Sequence, residues 1–317
     1  FQKFLTMVSL ENARLKFAEC VGLLTVLGEA CGKTLERLYL WKAFTFDHLL
    51  TIQHSYCKEG TSTETRSFRY NYSKALSMYI SLKVLAVNFS YLVGDNGEII
   101  LSLGSLTEGC FRELQLLCLE EDLSIVMSLY EGDEEEILPD STWRKAREIC
   151  PYMKVYMAIY SIPQHDLLKK FLSPSMPLCS FHLSSGLNAE PFCWQVDITL
   201  RTFICWYSLL LECLYLHLWQ NRDILDGMLL NNCLDSFPYL KSLEFIGIIH
   251  HKDTIEKICK KIKDSKCLAL KKLRILVQRI PSQCKLNLKL EIERIQKEYE
   301  GVFREKYIKL QIGMYRC

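Results

Sequence analysis

A segment with glycines and a lysine near the start of the chain raises the question of a nucleotide-phosphate site. The stretch LGEACGKT contains Gly28, Gly32, Lys33 and Thr34. A P-loop needs four residues between its glycines, so that successive backbone N–H groups can surround a phosphate, and only three separate Gly28 from Gly32. A P-loop also follows a strand and precedes a helix. Here the order is reversed, because the pattern of residues 17–32 predicts a helix and that of residues 34–40 predicts a strand. This pattern argues against a phosphate site.

The histidines and cysteines form no recognisable catalytic or metal-binding motif. The sequence has neither an H-E-x-x-H zinc motif nor a G-x-S-x-G nucleophile elbow, and its 15 cysteines include no C-x-x-C pair. His48, His54 and Cys57 have metal-ligand chemistry at short spacing, but they lie in a polar segment without matching partners. Cys150, which precedes Pro151, is interpreted as a buried structural thiol. We expect no catalytic residue, no metal and no cofactor, and hence a protein that is not an enzyme.

The composition indicates a globular protein of a reducing compartment. Of the 317 residues, 49% are hydrophobic and 24% are charged, and the net charge is +2. Many cysteines lie inside apolar runs, which is typical of free thiols in a reducing interior. No apolar run reaches the roughly 20 residues that a membrane-spanning helix requires. We therefore predict an intracellular location, in the cytoplasm, the nucleus or both, and no membrane association.

Two charged blocks need an interpretation. Residues 251–290 carry twelve Lys or Arg against three acids, which could attract nucleic acid. No recognition helix, RNP motif or zinc-finger spacing accompanies them, so a solvated helix face is favoured and nucleic acid binding is a minor alternative. Residues 120–136 carry eight acids and predict an exposed loop, after which Asp140 or Ser141 should cap the helix that carries Trp143.

A recurring apolar template predicts the strands that must position any functional side chains. The segment TLERLYL contains the L-x-x-L-x-L spacing of a leucine-rich-repeat strand, and the same apolar spacing occurs seven more times. The predicted strands lie at 35–40, 82–87, 111–116, 152–157, 178–183, 211–216, 240–245 and 270–275. Successive copies start 26 to 47 residues apart, and several of the intervals read as helices leading into the next strand.

The alternation of side chains in a strand and the length of the connections predict a fold from this template. Alternate strand residues face opposite sides of a sheet, so the fourth and sixth template positions point together into the core. Parallel strands need connections of about a dozen residues or more, usually a helix. We therefore predict a single α/β leucine-rich-repeat solenoid over residues 1–317, with a curved parallel sheet on the concave side, helices on the convex side and irregular repeats. An ordinary α/β domain with parallel strands shares every local feature and is the alternative.

The same alternation predicts which side chains are available to a partner. The third, fifth and seventh template residues should face away from the core, and this rule also places Asn88, Glu244 and Lys272 on the outer side. Aromatic, histidine and arginine side chains are the candidates for binding a target protein on the concave face. Those selected are Tyr39, Trp41, Tyr156, His182, Tyr215, His217 and Arg274.

Several segments resemble a known family. WRKAREICPYMKVYM has the Cys-Pro-apolar strand start that recurs in the cysteine-containing leucine-rich repeats of F-box proteins, and FPYLKSLEF repeats it with Phe237 in the cysteine position. The order of segments from SLKVLAVNFSYLVGD to ALKKLRILV is also similar, over about residue 15 to the C-terminus. The chain thus resembles F-box proteins with divergent leucine-rich repeats.

This resemblance implies the substrate-recognition subunit of an SCF-type (Skp1–cullin–F-box) ubiquitin ligase. In that family the F-box binds the Skp1 adaptor and the repeats hold the protein to be ubiquitinated. No F-box motif precedes residue 35, so we expect contact with Skp1 and cullin only through an F-box that is not present in this chain. A leucine-rich-repeat scaffold that binds a protein partner without any ligase is the alternative.

Overall fold

A ten-stranded parallel sheet organises the fold. The computed structural model of the protein describes residues 5–43, 71–92, 97–120, 122–123, 137–162, 165–185, 196–218, 234–247, 253–265, 269–277 and 285–314. The strands lie side by side in chain order, which confirms the prediction of an α/β fold with a parallel sheet. They are β1 (Met7–Ser9), β2 (Arg37–Tyr39), β3 (Val84–Asn88), β4 (Glu113–Cys118), β5 (Lys154–Ile162), β6 (Leu178–Ser185), β7 (Cys213–His217), β8 (Ser242–Gly247), β9 (Lys272–Val277) and β10 (Lys309–Met314).

Helices occupy most of the described connections between strands. They are α1 (Phe17–Cys31), α2 (Glu98–Leu106), α3 (Asp140–Ile149), α4 (His165–Phe171), α5 (Val196–Tyr207), α6 (Asp253–Asp264) and α7 (Lys285–Glu305), and a short 3-10 helix covers Phe89–Leu92. Within the described ranges, none of these helices combines the length and the apolar character that crossing a membrane requires.

Each of the eight template segments contains a strand of this sheet. In seven of them the strand begins two residues after the first template position. In six of these seven segments the first position is buried in the preceding turn and anchors it, as shown by Leu35, Leu82 and Leu211, which are all 0% exposed. Tyr152 is the exception, because it is 73% exposed. The strands β1 and β10 lie outside the eight segments.

The chain divides into two compact units. Unit 1 comprises Phe1–Met157 and Lys169–Pro177, and unit 2 comprises Ala158–Leu168 and Leu178–Cys317. The single solenoid domain expected over residues 1–317 stays a prediction.

In unit 1 the structure explains the two glycines that suggested a P-loop. They lie at the end of α1, where the chain around Met78 approaches the helix closely. A Cβ atom at position 32 would lie 2.2 Å from the carbonyl oxygen of Met78, and one at position 28 would lie 2.8 Å from the Met78 Cβ. Glycine is therefore required for packing here, since any side chain would push the two segments apart.

The prediction that Asn88, in unit 1, is exposed on the outer side of its strand is wrong. Asn88 is only 4% exposed, because its side chain takes part in a buried network. Its carbonyl oxygen accepts a hydrogen bond from the Lys42 backbone N–H at 2.8 Å, and its amide donates to the Asp122 carboxylate at 2.9 Å. Buried polar groups need such partners, so Asn88 holds neighbouring segments together and is not available to solvent.

The prediction that Asp140 or Ser141 caps α3 is wrong. Asp140 is the first residue of α3, and the N-cap is Pro139, which has no side-chain cap. The Asp140 carboxylate instead accepts hydrogen bonds from Ser173, Ser175 and Arg144 at 2.5 to 2.9 Å. Burial alone would raise the pKa of Asp140, but these bonds lower it to about 2. A distant segment has therefore replaced the local cap that the sequence indicated.

In unit 2 the leucine side of the sheet packs against helices. The rings of Phe181 on β6 and Phe203 on α5 lie 4.6 Å apart, and Tyr207 extends this contact. Leu214 and Leu216 on β7 are 0% and 1% exposed. Because these residues face the core, their neighbours along each strand must face the other side.

Candidate partner-binding face and its imidazole relay

The polar face of unit 2 is defined by the alternate strand residues that point away from the leucine core. Strand register places His182 beside Tyr215, Tyr215 beside Glu244, and Glu244 beside Arg274. These four residues thus form one row across β6 to β9. His217 lies two residues beyond Tyr215 on β7, and Lys272 lies two residues before Arg274 on β9.

Three of these side chains, His182, His217 and Glu244, are joined with Tyr160 of β5 in a continuous chain of contacts, the imidazole relay. The Tyr160 hydroxyl lies 3.2 Å from His182 Nδ1. His182 Nε2 lies 3.1 Å from His217 Nδ1, and His217 Nε2 lies 3.0 Å from Glu244 Oε1. The imidazole relay therefore links, through side chains alone, β6, β7 and β8 with the part of β5 that belongs to unit 2.

Only one arrangement of protons satisfies all three contacts when both imidazoles are neutral and Glu244 is ionised. The carboxylate can only accept, so His217 Nε2 carries its proton and donates it. His217 Nδ1 is then an acceptor, and His182 Nε2 donates to it. His182 Nδ1 must accept in turn, from the Tyr160 hydroxyl. One buried carboxylate thus fixes the tautomer of both histidines and the orientation of a tyrosine proton.

The charges around the imidazole relay favour this state at neutral pH. Burial, assisted by the neighbouring His217 and opposed by Glu244, lowers the pKa of His182 to about 4. Burial also lowers the pKa of His217, against the raising effect of its hydrogen bond to Glu244. Burial alone would raise the pKa of Glu244, but Arg274, His217 and Lys272 lower it below its ordinary value. Both histidines are therefore neutral near pH 7 and Glu244 is an anion.

Two cations complete the site at Glu244. Arg274 Nη1 donates to Glu244 Oε1 at 2.7 Å, and Lys272 Nζ lies 3.3 Å from Glu244 Oε2. The Lys272 ammonium also lies 5.8 Å from the centre of the Tyr215 ring, within the range of a cation–π contact. The Glu244 side chain is 6% exposed, whereas those of Arg274 and Lys272 are 31% and 40% exposed. The anion is thus buried beneath cations that still reach solvent.

The hydrogen bonds of this arrangement orient its side chains and leave no nitrogen of its two histidines available for proton transfer. All four imidazole nitrogens have a partner within 3.2 Å, so none is left to accept a proton from a bound molecule in this state. A nucleophile–base pair would place serine or cysteine against the histidine, and here the outer histidine meets Tyr160, whose pKa is raised by burial. The imidazole relay therefore rigidifies the polar face around its aromatic and cationic side chains.

Acidification should destabilise unit 2. The pKa of His182 is about 4 in the folded protein and about 6.5 when unfolded. The unfolded chain thus binds more protons between these values, so the contribution of His182 is complete above pH 6.5 and is lost as pH falls towards 4. We expect the free energy of unfolding to fall by about 2–3 kcal/mol over this window from His182 alone, measured by urea denaturation at several pH values.

His182→Gln is the matched control for this prediction. A glutamine amide can still donate to His217 and accept from Tyr160, but it does not titrate. The difference in unfolding free energy between wild type and this variant should therefore change across pH 4 to 6.5. A difference that stays constant over that range would contradict the assignment of a neutral, buried His182.

The structure brings His182, Tyr215, His217 and Arg274 together, but the other sequence-selected residues belong to unit 1. Tyr39 and Tyr156 are half-buried there. Trp41 is also half-buried, and its indole N–H has no hydrogen-bond partner among the described residues.

Three participants were not selected from the sequence. Glu244 and Lys272 were assigned to the outer side of their strands but not chosen, and Tyr160 lies on β5 beyond the end of the template. The order of the strands could have suggested them, because each lies on the same strand as a selected residue or on the next strand. Only the three-dimensional structure shows that these side chains contact the relay and its carboxylate.

Two kinds of chemistry considered from the sequence, a cysteine nucleophile and a metal site, have little support among the described residues. Cys150 is 1% exposed, and burial raises the pKa of its thiol, which disfavours the thiolate that a nucleophile needs. No group of three or more metal-ligating side chains with suitable geometry occurs among the described residues. His48, His54 and Cys57 lie outside them.

No protein-family model matches this chain, and no curated protein matches it.

Proposed function

We propose that this chain is the substrate-recognition part of an SCF-type ubiquitin ligase and binds its target through the polar face. On this proposal the chain is a leucine-rich-repeat solenoid of the F-box family, working in the cytoplasm or the nucleus. The parallel sheet with one strand in each template segment supports the architecture. The ligase connection comes from the family resemblance of the ordered segments.

The observation that carries the proposal is the composition of the polar face. His182, Tyr215 and Arg274 lie in a single row, in which Glu244 separates Tyr215 from Arg274, and all three are partly exposed. Aromatic and arginine side chains contribute most to protein interfaces, because they bury large areas and make directional contacts at low entropic cost. The imidazole relay holds this row in one arrangement, and such preorganisation reduces the cost of binding.

The proposed function needs no catalytic group on this chain. A receptor accelerates ubiquitin transfer by holding a lysine of the target near the charged conjugating enzyme, which raises its effective concentration. Skp1 and cullin would be bound through an F-box outside this chain. The alternative is a leucine-rich-repeat scaffold that binds a protein partner without any ligase.

Co-purification of the full-length product with the Skp1 adaptor and a cullin tests the ligase connection. We expect both to be recovered with the tagged full-length protein and to be lost when residues preceding this chain are deleted. Recovery of neither, from a folded full-length product, would contradict the ligase proposal and leave the scaffold alternative.

A further inference from the structure

The polar face has an uneven distribution of charge. The strand positions of β6 to β10 that share this face carry one acid, Glu244, and three bases, Lys272, Arg274 and Lys309. Glu244 is buried and already engaged by His217, Arg274 and Lys272. Because both histidines are neutral near pH 7, these described strand positions have a surplus of two positive charges and no exposed carboxylate.

Lys272 and Lys309 are directly opposite one another in the sheet register. Like charges in this position repel each other and destabilise a sheet unless an anion lies between or above them. Lys309 is exposed and Lys272 is partly exposed, so an anion from solvent can reach both. Glu244 already offsets the charge of Lys272, whereas Lys309 has no ion pair among the described residues, so Lys309 is the cation most available to a negatively charged partner.

Arg274 has a donor left over in the same region. Its Nη1 is bonded to Glu244, whereas its Nε has no hydrogen-bond partner among the described residues. Unpaired buried donors are uncommon in folded proteins. The Nε atom is itself buried, so a partner carboxylate would meet the exposed part of the Arg274 side chain, which is 31% exposed while Nη1 stays bonded to Glu244.

We infer that the partner segment recognised by the polar face is acidic, with Asp or Glu carboxylates paired to Lys309, Lys272 and Arg274. This inference rests on the proposed function, because it names the chemistry of the target. The Tyr215 ring beneath Lys272 provides the adjoining apolar contact. The occupant is a protein segment, because three cations, two of which already contact Glu244, suit a few carboxylates better than the run of phosphates in a nucleic acid.

Binding of short labelled peptides to this chain, followed by fluorescence anisotropy, tests the inference. The probes are a peptide of alternating Glu and Ser, its Lys–Ser counterpart, and a single-stranded DNA of similar length. We expect the acidic peptide to bind, with an affinity that falls as salt is raised towards about 0.15 M. Tighter binding of the Lys–Ser peptide or of the DNA would overturn the inference.

Two charge-reversal variants locate the site. Lys309→Glu should weaken binding of the Glu–Ser peptide about tenfold, because it places a carboxylate beside the incoming ones. Lys260→Glu changes the net charge equally but lies on the exposed side of α6, so it should change affinity by less than about twofold. Equal weakening by both variants would mean a diffuse charge effect and would overturn the assignment to this face.

Selection from a random peptide library separates failure of this inference from failure of the proposed function. Selected peptides enriched in Asp and Glu, and lost with Lys309→Glu, support an acidic partner. Selected peptides that need Tyr215 but show no acidic enrichment would overturn the inference while protein recognition stands. The ligase connection is judged separately, by co-purification with Skp1.

Discussion

Leu214→Asp should abolish the native state of unit 2. Leu214 is 0% exposed at the centre of β7, between two other strands of the parallel sheet. A carboxylate at this position has no partner and no water, so its burial should cost more than about 4 kcal/mol. Since small domains are stable by only about 5–15 kcal/mol, we expect a large loss of cooperative unfolding, measured by circular dichroism during urea and thermal denaturation.

Tyr215→Ser is the matched control one residue away. Tyr215 faces the other side of the sheet and is partly exposed, so its removal should cost no more than about 1–2 kcal/mol and leave a cooperative transition. Similar losses from the two variants would contradict the assignment of opposite sides to neighbouring residues.

Glu244→Ala should produce the largest loss of stability on the polar face. The substitution removes the acceptor for Arg274, Lys272 and His217 together. Removing one partner of a buried ion pair typically costs about 3–5 kcal/mol, because the remaining charge stays unpaired. It also removes the group that fixes the tautomers of the imidazole relay. Urea denaturation at pH 7 measures the loss, and a cost below about 1 kcal/mol would contradict the assigned role of Glu244.

A double-mutant cycle tests whether this cost comes from the pairing. Arg274→Met alone leaves Glu244 with fewer cations, Glu244→Leu alone leaves Arg274 without its carboxylate, and the double variant of these two substitutions removes both charges. We expect the double variant to be less destabilised than the sum of the two single variants, with a coupling of about 1–3 kcal/mol. Strict additivity would indicate that the two side chains do not stabilise each other.

The fold was more predictable from sequence than the site because alternation is local information. Phe181, Leu183, Leu214 and Leu216 reveal which side of each strand is buried, and helical intervals imply parallel connections. The same template also fits the two strands that were not predicted, as Leu5, Val8 and Leu10 around β1 and as Tyr307, Leu310 and Ile312 around β10. These copies lie at the sheet edges, where Leu5 and Tyr307 are 40% and 91% exposed.

The site required three-dimensional pairing that no single segment encodes. Alternation assigns Asn88 and Glu244 to the outer side of their strands, but both are only 4% exposed. Asn88 is covered because Lys42 and Asp122 satisfy its amide, and Glu244 because cations from β9 and a histidine from β7 surround it. Burial of a polar side chain thus depends on partners from other elements, which the spacing within one strand does not reveal.

Quantitative affinity purification of the full-length product in three forms tests the central claim most directly. The forms are wild type, Tyr215→Ser on the polar face, and Lys260→Ala on the exposed side of α6. The account predicts that all three recover the Skp1 adaptor and a cullin, and that at least one further protein recovered with wild type and Lys260→Ala is lost with Tyr215→Ser. The same set of proteins with all three forms would contradict target recognition by the polar face.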